Sequence, residues 1–168
     1  MRSKLIVVLM VVLSLSFALS FPIFNKDRIL EVKYSQLTAE AQHQVTCLAD
    51  NIYHEAGYEP HEGKVAVGLV TLNRLQDPRF PKDICSVVKQ KVKSTCQFTW
   101  FCEHKITNRA KEAYEDSLRV ALHVYANYER IVDLTDGALY YHADYVNPRW
   151  KLERTTVIGR HIFYKEKL

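Results

Sequence analysis

The chain has 168 residues, 48% hydrophobic and 25% charged, which is the composition of a folded globular protein and excludes a disordered one. Less an N-terminal segment, that length suits one domain with a sizeable core. The formal net charge of +4 is compatible with an anionic polymer as partner. No Arg/Lys cluster interleaved with aromatics appears, which argues against nucleic acid.

Met1 to Phe24 is the clearest compositional shift. Arg2 and Lys4 precede an uncharged apolar run from Leu5 to Leu19, and Ala18-Leu19-Ser20 puts small residues where a signal peptidase reads. This predicts a signal peptide over 1–20, cleavage before Phe21, and a mature domain exported to the periplasm, cell wall or exterior. The alternative is an uncleaved anchor extending to about residue 24, which is the one route by which the chain would touch a membrane; Pro22 and the serines weaken such a span. Residues 25–38 are polar and of mixed charge, a lead-in to a domain over 39–168. In an exported chain, Cys47, Cys85, Cys96 and Cys102 imply two disulfides with three possible pairings. Cys85–Cys96 is preferred, since it would pin the segment before Gln97 to the helix preceding it, whereas Cys96–Cys102 closes a tiny loop. A zinc site fits less well, because no cysteine pair has two-residue spacing and no matching histidine pair exists.

Thr38 can cap a first helix over Ala39 to Ala56, whose Val45, Leu48, Ile52 and Glu55 lie on one face at spacings of three and four. Glu55 therefore ends an apolar stripe. A carboxyl held there is desolvated, its pKa rises, and it becomes a candidate general acid near neutral pH; a lone Glu near a helix end more often turns to water. Gly57 would let the chain leave the helix in a left-handed conformation. After Pro60 a second helix carries Val65, Ala66, Leu69 and Val70, with Asn73 on the same side. Pro78 and Pro81 break the helix. A short third helix follows over Asp83 to Gln90, then a basic, solvated run from Lys89 to Ser94. Gln97 to Phe101 alternates polar with aromatic and suits an extended strand. Asn108 to Tyr128 has the most sustained helical pattern, and its His123 reads as exposed or satisfied. Asp136-Gly137 marks a turn, Ala138 to His142 a strand, Asn147-Pro148 another turn, and Thr155 to Ile158 and His161 to Tyr164 two short strands or one kinked strand about Gly159. The order predicts a mostly helical α+β fold.

Three separated stretches carry a family resemblance: NIYHEAGYEPHEGKVAVGLVTLNR (Asn51 to Arg74) with Phe80-Pro81, CQFTW (Cys96 to Trp100), and GALYYHADYVNPRW (Gly137 to Trp150) with IGRHIFY (Ile158 to Tyr164). Together, and in this order, they resemble the SleB-type cell wall hydrolases, the spore-cortex-lytic enzymes, over roughly residues 46 to 165. Thr99 replaces the more usual serine of the QF-S/T-W motif, and Glu103-His104 stands where an Asp-Gly-type turn is commoner. The resemblance implies a lysozyme-like fold with a cleft between a helical lobe and a small sheet. It further implies that Glu55 is the catalytic acid of a peptidoglycan lytic transglycosylase, and that Asn73, Gln97, Tyr141 and His142 stand at motif positions that position substrate or tune the acid. Trp100 could stack on a sugar ring, though most tryptophans pack. This reading needs no metal or cofactor, takes peptidoglycan glycan strands as the partner and treats the chain as a monomer.

A hydrolase that activates water needs two carboxylates, and the acids nearest Glu55 in sequence, Glu59 and Glu62, have no pairing signature; Asp144 is distant. One-acid transglycosylation therefore fits better than a muramidase. His54-Glu55 opens like the zinc-protease helix motif, but Tyr58 stands where the second histidine belongs. A non-catalytic wall-binding module is the remaining alternative.

Overall fold

The computed structural model describes residues 29–103 and 110–167. The expected signal segment, residues 25–28 of the lead-in, His104 and the first two residues of the helix expected from Asn108 lie outside the described residues.

Among the described residues, a 3-10 turn at Tyr34–Gln36 precedes five α-helices and five strands in chain order: α1 Ala39–Ala56, α2 His61–Gln76, α3 Ile84–Val88, β1 Lys91–Val92, β2 Thr95–Cys96, α4 Thr99–Cys102, α5 Lys111–Asn127, β3 Tyr140–Ala143, β4 Glu153–Ile158 and β5 His161–Lys165. Thr38 Oγ1 accepts from the Ala41 amide at 3.2 Å and caps α1, satisfying one of the donors a helix start leaves open. The described part of the lead-in is docked rather than loose. The backbone N–H and C=O of Leu30 both bond to the Asn127 side chain, and Tyr34 Oη lies 2.8 Å from Thr46 Oγ1.

α2 is the centre of the fold. Every residue from Gly63 to Arg74 is buried, the signature of a helix covered on all sides rather than one lying on a surface. One side of it meets α1 and α5 in the main core, where Val45, Leu48, Ile52, Leu69 and Val124 are fully buried. Its other side, through Ala66 and Val70, meets Ala138 and Phe163 of the sheet lobe. The sheet is antiparallel in the order β3-β5-β4, with Tyr141 opposite Phe163 and a register irregularity between Arg154 and Thr156. The architecture is α+β, a helical lobe with a three-stranded sheet against it.

Four local expectations are corrected. Gly57 is right-handed (φ −55°, ψ −28°); its lack of a side chain matters because a Cβ there would lie 2.4 Å from the Tyr53 carbonyl oxygen. The segment expected as a strand over Gln97 to Phe101 instead turns into α4 at Thr99, burying Phe98 and Trp100 together. The basic run expected to be merely solvated forms the small hairpin β1–β2, with Lys93 at φ 58° in its turn. The disulfides are Cys47–Cys85 and Cys96–Cys102, not Cys85–Cys96. The first ties α1 to α3 across the core; the second staples β2 to α4 and so holds the turn that replaces the strand.

The two disulfides close loops of very different length, with separations of 38 and 6 residues. Loop-closure entropy then assigns about 4 kcal/mol to the first and about 2 kcal/mol to the second. Urea unfolding of the Cys47→Ala/Cys85→Ala and Cys96→Ala/Cys102→Ala pairs is expected to rank them in that order.

Candidate active site

The last turns of α1 and α2 and the first residues of β3 meet at Glu55. Its side chain is half-buried in an open cleft of about 390 Å3 lined by residues 53–59 of the α1–α2 connection. Tyr141, on the inward face of β3, donates from Oη to Glu55 Oε2 at 3.2 Å. Burial pushes the Glu55 pKa up from 4.5 to about 6, against the opposing pull of the Tyr141 hydrogen bond and the Arg74 charge. Tyr141 is held well above its ordinary range by burial and by the neighbouring Glu55, so it stays a neutral donor. It is wedged from below by His161 and Phe163, with ring centroids 5.1 and 5.7 Å away. Burial also pushes the His161 pKa down.

The strand that carries Tyr141 is fixed by two consecutive side chains of α2. Asn73 Nδ2 reaches the Ala138 carbonyl at 3.2 Å, and Arg74 Nε reaches the Leu139 carbonyl at 2.9 Å. Arg74 is 4% exposed, and its guanidinium carbon lies 5.2 Å from the Phe80 ring centroid and 5.1 Å from that of Phe98, within cation–π range. Glu59, four residues after Glu55, turns the other way. Its Oε2 accepts the Arg160 amide at 2.9 Å and sits where a Cβ on Gly159 (φ +57°) would be, so the β4–β5 turn is clamped to the α1–α2 connection.

The residues singled out from sequence separate into distinct environments. Tyr141 meets Glu55. Gln97 is exposed, and its backbone N–H donates to the Gln90 backbone carbonyl. Asn73 is structural: its amide nitrogen also reaches Asp133 and Thr135, and its oxygen accepts from Tyr128 Oη at 2.8 Å. Both of its polar atoms are thus consumed within the protein. Trp100 is 6% exposed, stacks on the His54 ring at 4.4 Å and donates its indole N–H to Asn51. It supports the end of α1 from below and offers no face to a sugar. His142 points to the outer side of the sheet, with its ring nitrogens at Ala143 O (2.8 Å) and Tyr164 Oη (3.0 Å). Sequence pattern alone does not single out Arg74. A cation in the last turn of a helix usually complements the helix dipole in solvent, and only its place within an otherwise apolar buried run hints at more.

The cell wall hydrolase family pattern matches residues 58–164, beginning three residues after Glu55. Spore cortex-lytic enzymes of Bacillus subtilis and Oceanobacillus iheyensis are 30% identical over 126 residues and 31% identical over 132, which is 73% and 74% of this chain. The chain spans 38% and 42% of the length of those relatives. Two solved structures share the fold. The catalytic domain of the germination-specific lytic transglycosylase SleB from Bacillus anthracis superposes with a TM-score of 0.58 at 28% identity, covering 74% of this chain and 95% of that one. The catalytic domain of the Bacillus cereus SleB protein gives 0.55 at 28%, covering 74% and 91%. The chain belongs to the cell wall hydrolase family.

The raised pKa of Glu55 has a thermodynamic consequence. Between pH 4.5 and about 6 the unfolded state releases this proton first, so stability falls as pH rises through that window, by about 2 kcal/mol in all. Glu55→Gln removes the titration while keeping an acceptor for Tyr141. Urea melts are expected to show the variant more stable than the wild type by up to about 2 kcal/mol at pH 7.5, and the difference vanishing near pH 4.

Proposed function

We propose that this domain degrades peptidoglycan as a lytic transglycosylase, cutting between N-acetylmuramic acid and N-acetylglucosamine with Glu55 as the single acid/base. The observation that carries the reading is a half-buried carboxyl, pKa about 6, in an open cleft with one neutral phenol hydrogen-bonded to it. An open cleft suits a polymer, and a pKa near working pH suits a group that must first give and then take a proton. In this scheme protonated Glu55 gives its proton to the bridging oxygen as the C1–O bond breaks. The resulting carboxylate then takes the proton of the muramic acid C6 hydroxyl as that oxygen bonds to C1. The products are a 1,6-anhydro end and a free N-acetylglucosamine hydroxyl, with no water consumed.

The family, and the likeness to the catalytic domain of a germination-specific lytic transglycosylase, support the reaction class. The arrangement of the other acids supports the one-acid form. Glu59 shares the cleft but is committed to the Arg160 amide, Glu62 is exposed on the first turn of α2, and Asp144 lies beside Arg160 at 3.7 Å. Gln97 is our candidate for contact with a sugar hydroxyl or amide. The N-terminal segment is read as an export signal, placing the domain at the cell wall.

Mass spectrometry of muropeptides released from purified peptidoglycan tests this. The wild type is expected to yield anhydro-muramic ends, and Glu55→Gln to release them about 10³-fold more slowly. Reducing muramic ends would instead mean a muramidase with a second carboxylate, and release abolished by a chelator would mean a metal-dependent hydrolase. Release by neither protein would leave a wall-binding module.

A further inference from the structure

Arg74 is a buried cation with no carboxylate in hydrogen-bond or ion-pair contact among the described residues. Its one polar contact is Nε to the Leu139 carbonyl, and its Nη1 is buried without a partner. A charge held that way costs several kcal/mol unless something nearby offsets it, and the rings of Phe80 and Phe98 offset only part. The Leu139 carbonyl it holds is two residues before Tyr141, whose hydroxyl touches Glu55. Glu55 feels the charge of Arg74 from α2 and the hydrogen bond of Tyr141 from β3; the titratable groups that act on Arg74 are Tyr141 and Tyr140 from β3 and Glu55 from α1. His161 from β5 packs on Tyr141, and Glu59 lies in the same cleft but faces the β4–β5 turn.

We infer that Arg74 is a positioning residue for the acid: its buried, unpaired guanidinium is the positive charge that receives Glu55 when it becomes a carboxylate, and its hold on Leu139 sets Tyr141 against that carboxylate. The inference rests on Glu55 being the acid/base. A direct Arg–Glu salt bridge would keep Glu55 ionised at rest and spoil it as a proton donor. A charge acting from beyond contact, with a single 3.2 Å phenol hydrogen bond, leaves the resting carboxyl protonatable. It still stabilises the anion that exists between the two proton transfers.

Carbon-13 NMR titration of the Glu55 carboxyl, assigned by its loss in Glu55→Gln, reads this in the resting protein without substrate. In Arg74→Gln the midpoint is expected to rise from about 6 by roughly one pH unit. Arg74→Lys, which keeps the charge, is expected to stay closer to the wild type. The high-pH limb of muropeptide release is expected to move up with the midpoint as turnover falls, a shift that mere loss of packing would not cause. In the wild type, the Arg74 guanidinium nitrogen-15 signals are expected to titrate with the Glu55 midpoint and to go flat in Glu55→Gln. An unmoved midpoint in folded Arg74→Gln overturns the inference. Flat guanidinium signals through the Glu55 titration do so too, and that second measurement decides the matter if Arg74→Gln does not fold. Because neither reading needs turnover, they separate from the outcome for the reaction itself, which only the released sugar ends report.

Discussion

The position of the whole sheet lobe depends on two adjacent side chains in the last turn of α2. Asn73 and Arg74 take the consecutive carbonyls of Ala138 and Leu139 at 3.2 and 2.9 Å. Successive carbonyls of an extended chain point to opposite sides, so a pair of donors that captures both fixes the rotation of the strand as well as its location. Strand β3 begins one residue later, and the inward residue of that strand is Tyr141. A slip by one position would turn Tyr141 out to solvent and Tyr140 in. The hydrogen bond on Glu55 is thus set from α2, although Glu55 belongs to α1. Asn73 adds reach, since Asp133, Thr135 and Tyr128 also close on it and hold the loop before the strand.

The burial of α2 makes this possible and sets the electrostatics of the cleft. A helix covered on all sides has no solvated face on which to leave polar residues, so they find their partners inside, Arg74 Nη1 excepted. Thr71 donates to the Val67 carbonyl and accepts from Asn51, and Asn51 accepts in turn from Trp100, which stacks on the residue before Glu55. Lys64 meets Asp116 of α5 at 2.7 Å. The end of α1 is therefore held from three sides, by Trp100, by Tyr141 and by the clamp between Glu59 and the β4–β5 turn. Rigid surroundings matter for the acid, because they prevent it from escaping desolvation by swinging into water. Its pKa stays near 6 through that constraint.

Much of this was legible in the sequence where the signal is periodic. α1, α2 and α5 show themselves by apolar spacing, the Thr38 cap by its residue type, and β4 and β5 by the strand-turn-strand pattern around Gly159. Glu55 is marked by its place at the end of the α1 stripe, and Tyr141 by the family motif. What was not legible depends on chain segments that meet across long separations. Asn73 looks like a polar residue free for substrate until the loop 65 residues away closes on it. Trp100 looks like a sugar platform because alternation in Gln97 to Phe101 suggests a strand, whereas the Cys96–Cys102 bridge and the docking of His54 favour a helical turn that buries it. Arg74 is masked by the ordinary expectation for a cation at a helix end. In each case the local residue types are compatible with two environments, and only the tertiary partner decides.

The acids around the cleft show how the fold itself narrows the chemistry. Glu59 is close to Glu55 in sequence and lines the same cleft, so composition alone would nominate it as a second carboxylate. Its Oε2 is instead occupied by a backbone amide of the β4–β5 turn, in a space that opens only because position 159 has no side chain. Releasing that oxygen to activate water would unclamp the turn and expose the Arg160 amide, a cost set against every catalytic cycle. Glu55 carries no such structural duty: among the described residues its one side-chain hydrogen-bond partner is a hydroxyl, which can follow the carboxyl as it loses and regains a proton. One glutamate given to architecture and the other left free is the arrangement that supports the proposed reaction, in which a single group would act twice and the substrate's own hydroxyl would take the place of water.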